Sequence, residues 1–125
     1  MGLVDERPAL DEHQPLGRAL SFWSAIDETE PVALGPVGLA GLEEVPVRYL
    51  STGQRKRAAF ARLLAQRADN WLLDEPLNGL DTEGVALVGS LIANHRAQGG
   101  VVVIASHQPV TLPDKQVIDV RDHPL

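Results

Sequence analysis

Residues 50 to 81 read LSTGQRKRAAFARLLAQRADNWLLDEPLNGLD, and this stretch decides the fold. It begins with a small polar turn that opens a basic segment rich in strong helix formers. A short apolar run follows and ends in Asp74, Glu75 and Pro76. A second turn, LNGLD at 77 to 81, closes the stretch. A helix followed by a short buried strand that ends in acidic residues indicates an α/β domain.

Apolar periodicity predicts further helices and strands on either side of this stretch. Helices are predicted at about 15–26, 53–68 and 82–97, and strands at 71–73, 101–105 and 115–120. Between them, a loop is predicted at 1–14, a broken helix or two turns within the segment 30–46, and then an extended segment at 45–49. Ser51 is placed to cap the second helix. The inward faces are predicted to carry Phe60, Leu63 and Leu64 on the second helix, and Val85, Val88, Leu91 and Ile92 on the third. Continuous apolar strands separated by helices indicate a parallel sheet flanked by helices.

Length and composition narrow the class of protein. The chain has 125 residues, of which 44% are hydrophobic, and this suits one globular domain or part of one. Its net charge of −6 argues against a nucleic-acid binder. It has no cysteine, so disulfides and thiolate metal sites are excluded. Its uncharged runs are too short to span a bilayer, and its acidic start is unlike a secretory signal.

The turn from Leu50 to Gln54 is a candidate phosphate site. The first turn of a helix presents unpaired backbone N–H groups and the positive end of the helix dipole, and both attract phosphate. Ser51 adds a hydroxyl donor, and Gly53 lets the backbone approach a phosphate closely. The same residues also suit a plain helix cap, and the turn alone does not separate the two interpretations.

Asp74 and Glu75, at the end of the predicted strand, form a candidate catalytic pair. A carboxylate at the C-terminal end of a strand can hold Mg²⁺ directly or through water. A second carboxylate beside it faces the other side of the chain, where it can orient an attacking water. Acidic pairs also end strands in purely structural turns, so the pair gains its meaning from the motifs around it.

His107 follows the strand predicted at 101–105. Parallel strands end along one edge of a sheet, so His107 and the Asp74-Glu75 pair are expected to share that edge. A single histidine after a strand is usually an ordinary surface residue, and only its position favours a function here. The other histidines, His13, His95 and His123, have no such context and are interpreted as ordinary. Four scattered histidines without cysteine do not predict a zinc site.

Together these elements resemble the ATP-binding subunit of ABC transporters. The turn at 50–54 resembles the signature motif, LSGGQ in the family, with Thr52 in place of the first glycine. WLLDE at 71–75 resembles the Walker B strand with its adjacent glutamate, and LNGLD at 77–81 resembles the D-loop. Ser106-His107 resembles the switch histidine. The four motifs stand in the family's order and cover roughly half of the chain directly.

The sequence around these motifs supports a narrower resemblance. VGLAG at 37–41 and VPVRYLSTGQRKR at 45–57 look most like the haem-exporter ATP-binding subunits of cytochrome c maturation. Haem enters only through this resemblance, because no residue here has the context of a haem ligand. The resemblance implies ATP and Mg²⁺ as cofactors, a second ATP-binding subunit and integral membrane exporter subunits as partners, and a peripheral place on the cytoplasmic face of the inner membrane.

The resemblance also implies a role for each matched residue. Ser51, Thr52, Gly53 and Gln54 form the signature, which acts in trans, with Ser51 and Gly53 donating to the γ-phosphate of an ATP held by the opposite subunit. Asp74 serves Mg²⁺, Glu75 polarises the attacking water, His107 contacts the γ-phosphate, and Asp81 crosses the dimer interface. Glu75 and His107 are thus the implied catalytic residues.

One motif of the family is missing from this sequence. No G-x-x-x-x-G-K-[ST] is present, and the nearest pattern, Gly84 to Gly89, lies within a predicted helix and is followed by Ser90-Leu91. In the family the phosphate loop (Walker A) precedes the helical subdomain. We therefore expect the C-terminal part of a P-loop NTPase domain. Its expected segments are a loop or disordered start at 1–14, a helical subdomain with the signature helix at 15–68, and part of the α/β ATPase core at 69–125.

Three functional hypotheses follow. The first is an ATP-hydrolysing subunit of an ABC-type exporter, truncated before the helical subdomain and inactive in isolation because it lacks the phosphate loop. The second is a non-catalytic interaction module that supplies the signature in trans to a full-length ATPase. The third is a chromosome-maintenance ATPase of the SMC type, which also carries a signature and a Walker B strand. That class predicts long heptad repeats, and this sequence has none.

The isolated chain is predicted to be marginally stable, because about three strands leave one side of a parallel sheet uncovered. Thermal unfolding followed by circular dichroism checks this expectation. A cooperative transition of the monomer above about 60 °C, the upper end for ordinary mesophile domains, would contradict it.

Overall fold

A computed structural model describes residues 2–4 and 10–105 of the chain. Its parallel sheet has three strands in the order β1-β2-β3: β1 Gly2–Val4, β2 Asn70–Asp74 and β3 Val101–Ala105. The helices are α1 Leu16–Asp27, α2 Thr52–Gln66 and α3 Thr82–Ala97, and single 3₁₀ turns form at Gly35–Val37 and Val47–Tyr49. The predicted α/β class, with helices flanking a parallel sheet, is confirmed.

Local signals in the sequence explain where α2 and α3 begin. The Ser51 hydroxyl oxygen accepts the backbone N–H of Gln54 at 3.0 Å, and the Gln54 side chain accepts the N–H of Ser51 at 2.9 Å. This capping box satisfies two donors that the first turn of α2 otherwise leaves unpaired. The Asp81 carboxylate caps α3 in the same way, accepting the N–H of Gly84 at 2.7 Å. The predicted cap at Ser51 is therefore confirmed.

The predictions for residues 1–14 and for residues 45–49 are wrong. Residues 1–14 were expected to be loop, yet Gly2–Val4 pairs in parallel with Trp71–Leu73. Three residues are too few to show a strand period, and the pairing partner lies far along the chain. Residues 45–49 were expected to be extended, but a 3₁₀ turn forms in which the Tyr49 N–H donates to the Pro46 carbonyl at 3.0 Å.

The core lies between the sheet and one face of α2 and α3. Phe60 and Leu63 are buried as predicted, and the Phe60 ring meets Trp71 edge-on with centroids 6.5 Å apart. Val88 and Ile92 are buried on α3, whereas Val85 is 38% exposed. The inward placement of Val85 was wrong because the buried stripe of α3 contains Gly84, Val88 and Ile92, and Val85 lies about 100° around the helix from Gly84.

Leu64 and Leu91 are half-buried and pack against the core as partly inward residues. The strand predicted at 115–120 lies outside the described residues. The division into a helical part at 15–68 and a core part at 69–125 stays a prediction, except that residues 2–4 join the sheet.

The second face of the sheet is less well covered. Leu3, Leu72 and Val103 stand in register across the three strands. Leu3 is 48% exposed, and its two neighbours in this row are half-buried. Parallel sheets are usually covered on both faces, whereas within the described residues this apolar row is left partly open to solvent.

A half-buried ion pair ties α1 to α2. Arg62 donates through Nε and Nη2 to the two carboxylate oxygens of Asp27, both at 2.8 Å, and Gln66 adds a bond at 3.1 Å. The Arg62 guanidinium also lies 4.6 Å from the centre of the Trp23 ring. The hydrogen bonds from Arg62 lower the pKa of Asp27 below its ordinary value, against the opposing effect of burial.

Asp27→Asn is predicted to destabilise the chain by about 2 kcal/mol, because Arg62 loses a charge-assisted bidentate partner. Chemical denaturation at neutral pH checks this value. Since folding lowers the pKa of Asp27, its contribution is present above the unfolded-state pKa and is lost as the pH falls through the folded-state pKa. The gap between wild type and Asp27→Asn should therefore shrink in acid. Glu30→Gln, at an exposed carboxylate nearby, is the matched control and should change stability little. A gap that stays constant into acid would contradict the prediction.

Candidate functional site

Two turns meet to form a cleft of ≈ 350 Å³. One is the start of α2, and the other is the turn between β2 and α3. The lining residues are Ser51, Gly53, Gln54 and Arg57 from the first element, and Gly79, Asp81 and Glu83 from the second. Most of the residues that the sequence assigned to nucleotide contact therefore lie around one concave surface.

The two turns approach so closely that side chains are excluded between them. A Cβ on Gly53 would lie 3.0 Å from the carbonyl oxygen of Gly79. Gly79 itself has φ +81°, and a Cβ there would lie 2.7 Å from the Thr52 methyl group. Thr52, which departs from the family's glycine, fits because residue 79 has no side chain. The start of α2 and the second turn are thus packed backbone against backbone.

The charges around the cleft are arranged unevenly. The first turn of α2 carries the positive end of the helix dipole, and it lies beside Ser51 and Gly53. Arg57 is largely buried and places Nη2 3.5 Å from the Asp81 carboxylate, which is mostly exposed. Arg57 therefore offsets the carboxylate at the cleft wall. An anionic ligand is best accommodated on the Ser51 side, away from Asp81 and Glu83.

Asp74 and Glu75 lie where β2 ends. Asp74 is the last residue of β2 and pairs in register with Ala105 of β3. Glu75 is 9% exposed and has φ +48°, a left-handed conformation that is uncommon for a residue other than glycine. Its N–H donates to the Ala105 carbonyl at 2.8 Å, and its carbonyl accepts the Asn78 N–H at 3.2 Å. Strand end and turn together hold this unusual backbone.

Lys56 is a residue near the site that the sequence analysis did not single out. It is completely buried, and its Nζ donates to the Glu75 carbonyl at 2.5 Å. A spacing signal could have revealed its burial, because Lys56, Phe60 and Leu63 stand at i, i+4 and i+7 on the inward face of α2. The basic composition of the segment hid this single inward lysine among outward ones.

The structure brings most of the predicted site residues together. Ser51, Gly53, Gln54 and Asp81 line the cleft, Thr52 packs against Gly79, and Asp74 and Glu75 stand at the strand end. Lys56 and the Gly53–Gly79 contact join these two groups. His107 lies outside the described residues. Its predicted place at the same sheet edge stays a prediction, and so do the roles of the other residues.

Asp74 is the residue that could hold Mg²⁺. Within residues 2–4 and 10–105, no three His, Cys, Asp or Glu side chains are grouped as ligands for a metal ion. Mg²⁺ in phosphate-transfer sites is commonly bound through one or two carboxylates, with phosphate oxygens and waters completing its shell. A single carboxylate at a strand end fits this kind of site.

Gly79→Ala is predicted to cost about 1–2 kcal/mol of stability, because a left-handed backbone disfavours a Cβ and the Thr52 methyl occupies its space. Urea denaturation measures the loss. Gly89→Ala is the matched control: it lies inside α3 with nothing near its Cβ position, so it should stabilise by about 0.5–1 kcal/mol. Adding Thr52→Gly to Gly79→Ala should recover part of the loss. Equal stability of Gly79→Ala and wild type would show that the two turns do not pack as described.

Comparisons with known proteins agree with the motifs. The family model described as "ABC transporter" matches residues 2–78. The cytochrome c biogenesis ATP-binding export protein CcmA of Novosphingobium aromaticivorans is 54% identical over 123 residues, which are 98% of this chain and 63% of that protein. The protein of the same name from Zymomonas mobilis is 43% identical over 125 residues, covering 98% of this chain and 57% of that protein.

A solved structure shares the fold. It is cbiO1 from Clostridium perfringens, described as part of the ABC transporter complex cbiONQ. The two superpose with a TM-score of 0.66 and 30% sequence identity, covering 86% of this chain and 47% of that one. This chain spans between 57% and 63% of the length of its first curated relatives. The matched family model, the relatives and the common fold show that this chain belongs to the ABC transporter family, among its ATP-binding proteins.

Proposed function

We propose that this chain is the part of an ATP-hydrolysing exporter subunit that carries the signature turn and the catalytic carboxylate. The observation that supports this most directly is the cleft in which Ser51, Gly53 and Asp81 meet. A phosphate-attracting helix start and a D-loop-like turn form one surface there. The end of β2, with Asp74 and Glu75, is fastened to the same helix through Lys56.

In the proposed reaction, the hydroxyl of Ser51 and the N–H of Gly53 donate to the γ-phosphate of an ATP held by the opposite subunit. At the chain's own site, the Glu75 carboxylate orients a water and accepts its proton while the water oxygen bonds to the γ-phosphorus and the bond to the ADP oxygen breaks. Mg²⁺, when bound with Asp74, neutralises phosphate charge. His107 contacts the γ-phosphate, and Asp81 reaches the opposite subunit.

Hydrolysis at the chain's own site also needs a phosphate loop, and the 125 residues contain no G-x-x-x-x-G-K-[ST]. We therefore propose that the isolated chain is inactive and that the loop comes from a preceding segment. No helix within the described residues is long and apolar enough to cross a membrane. The proposed place is peripheral, on the cytoplasmic face of the inner membrane, beside integral exporter subunits and a second ATP-binding subunit.

The names of the relatives indicate which cargo the exporter carries. Two relatives that match 98% of this chain are both described as cytochrome c biogenesis ATP-binding export proteins. We propose the same pathway for this chain, with haem as the cargo. The membrane subunits would handle the cargo, since the cleft of this chain is suited to phosphate.

A second function is supported by one observation. The cleft is built from residues 51–83 of this chain, without any contribution from a phosphate loop. Such a surface can complete an ATP site on another subunit. The chain would then be a non-catalytic module that acts in trans, and its Glu75 would have no substrate.

The catalytic proposal is tested in a subunit that joins the N-terminal segment of the Novosphingobium relative to this complete chain. ATP hydrolysis is expected, and Glu75→Gln should lower kcat by about 100-fold or more, because the general base is lost. Glu44→Gln makes the same chemical change at an exposed loop residue and should leave kcat unchanged. A Glu75→Gln subunit with the kcat of wild type would contradict the catalytic role of Glu75.

The trans function is tested by mixing the chain with a full-length relative whose own signature serine has been replaced by aspartate. The unaltered chain should restore ATP hydrolysis, and the Ser51→Asp chain should not, because its carboxylate repels the γ-phosphate while still capping α2. Ser90→Asp, at an exposed position on α3, is the matched control. If Glu75→Gln leaves the restored rate unchanged while the Ser51→Ala chain lowers it, the module function gains. Restoration by Ser51→Asp would contradict both functions.

A further inference from the structure

Lys56 is the most unusual charged residue among those that the structure describes. Its side chain is completely buried, and a buried ammonium group is costly unless it is paired or hydrogen-bonded. Its Nζ donates to the backbone carbonyl of Glu75 at 2.5 Å. A purely apolar residue would fill the same position on the inward face of α2 at lower cost. The position of the ammonium group therefore points to a task beyond packing.

The bond reaches the backbone of the proposed general base. Glu75 adopts a left-handed conformation at φ +48°, which a glutamate adopts only when its surroundings hold it there. A return to negative φ would turn the carboxylate in another direction. Its N–H is held by the Ala105 carbonyl, and its carbonyl is held by both the Asn78 N–H and Lys56. Of these contacts, Lys56 is the one that comes from α2.

The helix that carries Lys56 is also the helix that carries the signature turn. Lys56 follows Gln54 by two residues, within the second turn of α2. The start of α2 packs on Gly79, and Arg57 lies 3.5 Å from Asp81. The bond from Lys56 adds a second connection, between the second turn of helix α2 and Glu75 at the end of β2. A displacement of α2 at its N-terminal end would therefore move the donor that holds the Glu75 carbonyl.

We propose that Lys56 is a positioning residue that holds the backbone of Glu75 in its catalytic conformation and links it to the signature helix. This inference rests on the proposed function, because it requires Glu75 to act on water. In a dimer, the signature turn serves the ATP of the opposite subunit, whereas Glu75 serves the chain's own ATP. Lys56 thus joins a contact of one ATP site to the general base of the other. Hydrolysis at each site depends through this bond on the state of its neighbour.

The test uses the subunit that joins the relative's N-terminal segment to this chain. Lys56→Met keeps the length of the side chain and removes the donor, and the Glu75 carbonyl still accepts the Asn78 N–H. This carbonyl is therefore not left without a donor, and circular dichroism checks that the variant is folded before its kinetics are compared. It should lower kcat about tenfold or more while KM for ATP changes less than about twofold, because water is misaligned and ATP is still bound. Lys56→Gln, which keeps an N–H donor, should recover part of the rate.

A double variant separates positioning from general structural damage. If Lys56 acts through Glu75, then Lys56→Met combined with Glu75→Gln should be no slower than Glu75→Gln alone. Multiplied losses in the double variant would overturn the inference, and so would a wild-type kcat in Lys56→Met. Arg55→Met is the matched control, since Arg55 is the preceding residue and pairs at the surface with Glu12 at 3.0 Å. It should keep the wild-type kcat. If the unmodified subunit hydrolyses no ATP, the proposed function fails. If that subunit is active and Glu75→Gln slows it, but the Lys56 variants keep its kcat, only the positioning role fails.

Discussion

The packing of α2 on the sheet is the contact on which the rest of this structure depends. The face of α2 that holds Phe60 and Leu63 lies against Trp71 of β2, and these side chains are buried. Because the helix is fixed there, its first turn meets the turn after β2, and its outer side reaches α1 through Arg62. One apolar interface therefore sets the position of the phosphate-facing turn relative to the acidic end of the strand.

The same interface explains how one helix can serve several purposes. Its inward face supplies the core, its N-terminal turn supplies donors to the cleft, and Lys56 connects these two regions. Small residues make the close approach possible, since Gly53 and Gly79 bring backbone next to backbone. A larger residue at either position would separate the turns and open the cleft. Geometry near the cleft is thus determined by packing some distance from it.

Much of the fold could be predicted from the sequence because its signals are local. The capping box between Ser51 and Gln54, the period of α3 and the β-branched run at 101–105 each identify an element within a few residues. Strand β1 could not be predicted, since three residues gain their partner only from a distant segment. The prediction of an extended segment at 45–49 was wrong, because the chain forms a 3₁₀ turn after Pro46.

The candidate site was predictable in its parts and not in its connections. Motif order identified Ser51, Glu75 and Asp81, but spacing alone says nothing about which backbone atoms meet. The bond from Lys56 to Glu75 and the contact of Thr52 with Gly79 both depend on how α2 lies on β2. Such contacts join residues that are distant in sequence, so a local pattern carries no trace of them.

The contact between Thr52 and Gly79 has a consequence for how such sequences can diverge. The Thr52 methyl and a Cβ at position 79 would compete for one small volume, so a side chain at one position requires its absence at the other. A lineage that replaces the first signature glycine must therefore retain glycine in the second turn. Across many related sequences, the residue types at these two positions should therefore be correlated. That correlation would reveal the contact between positions 52 and 79, which neither motif shows alone.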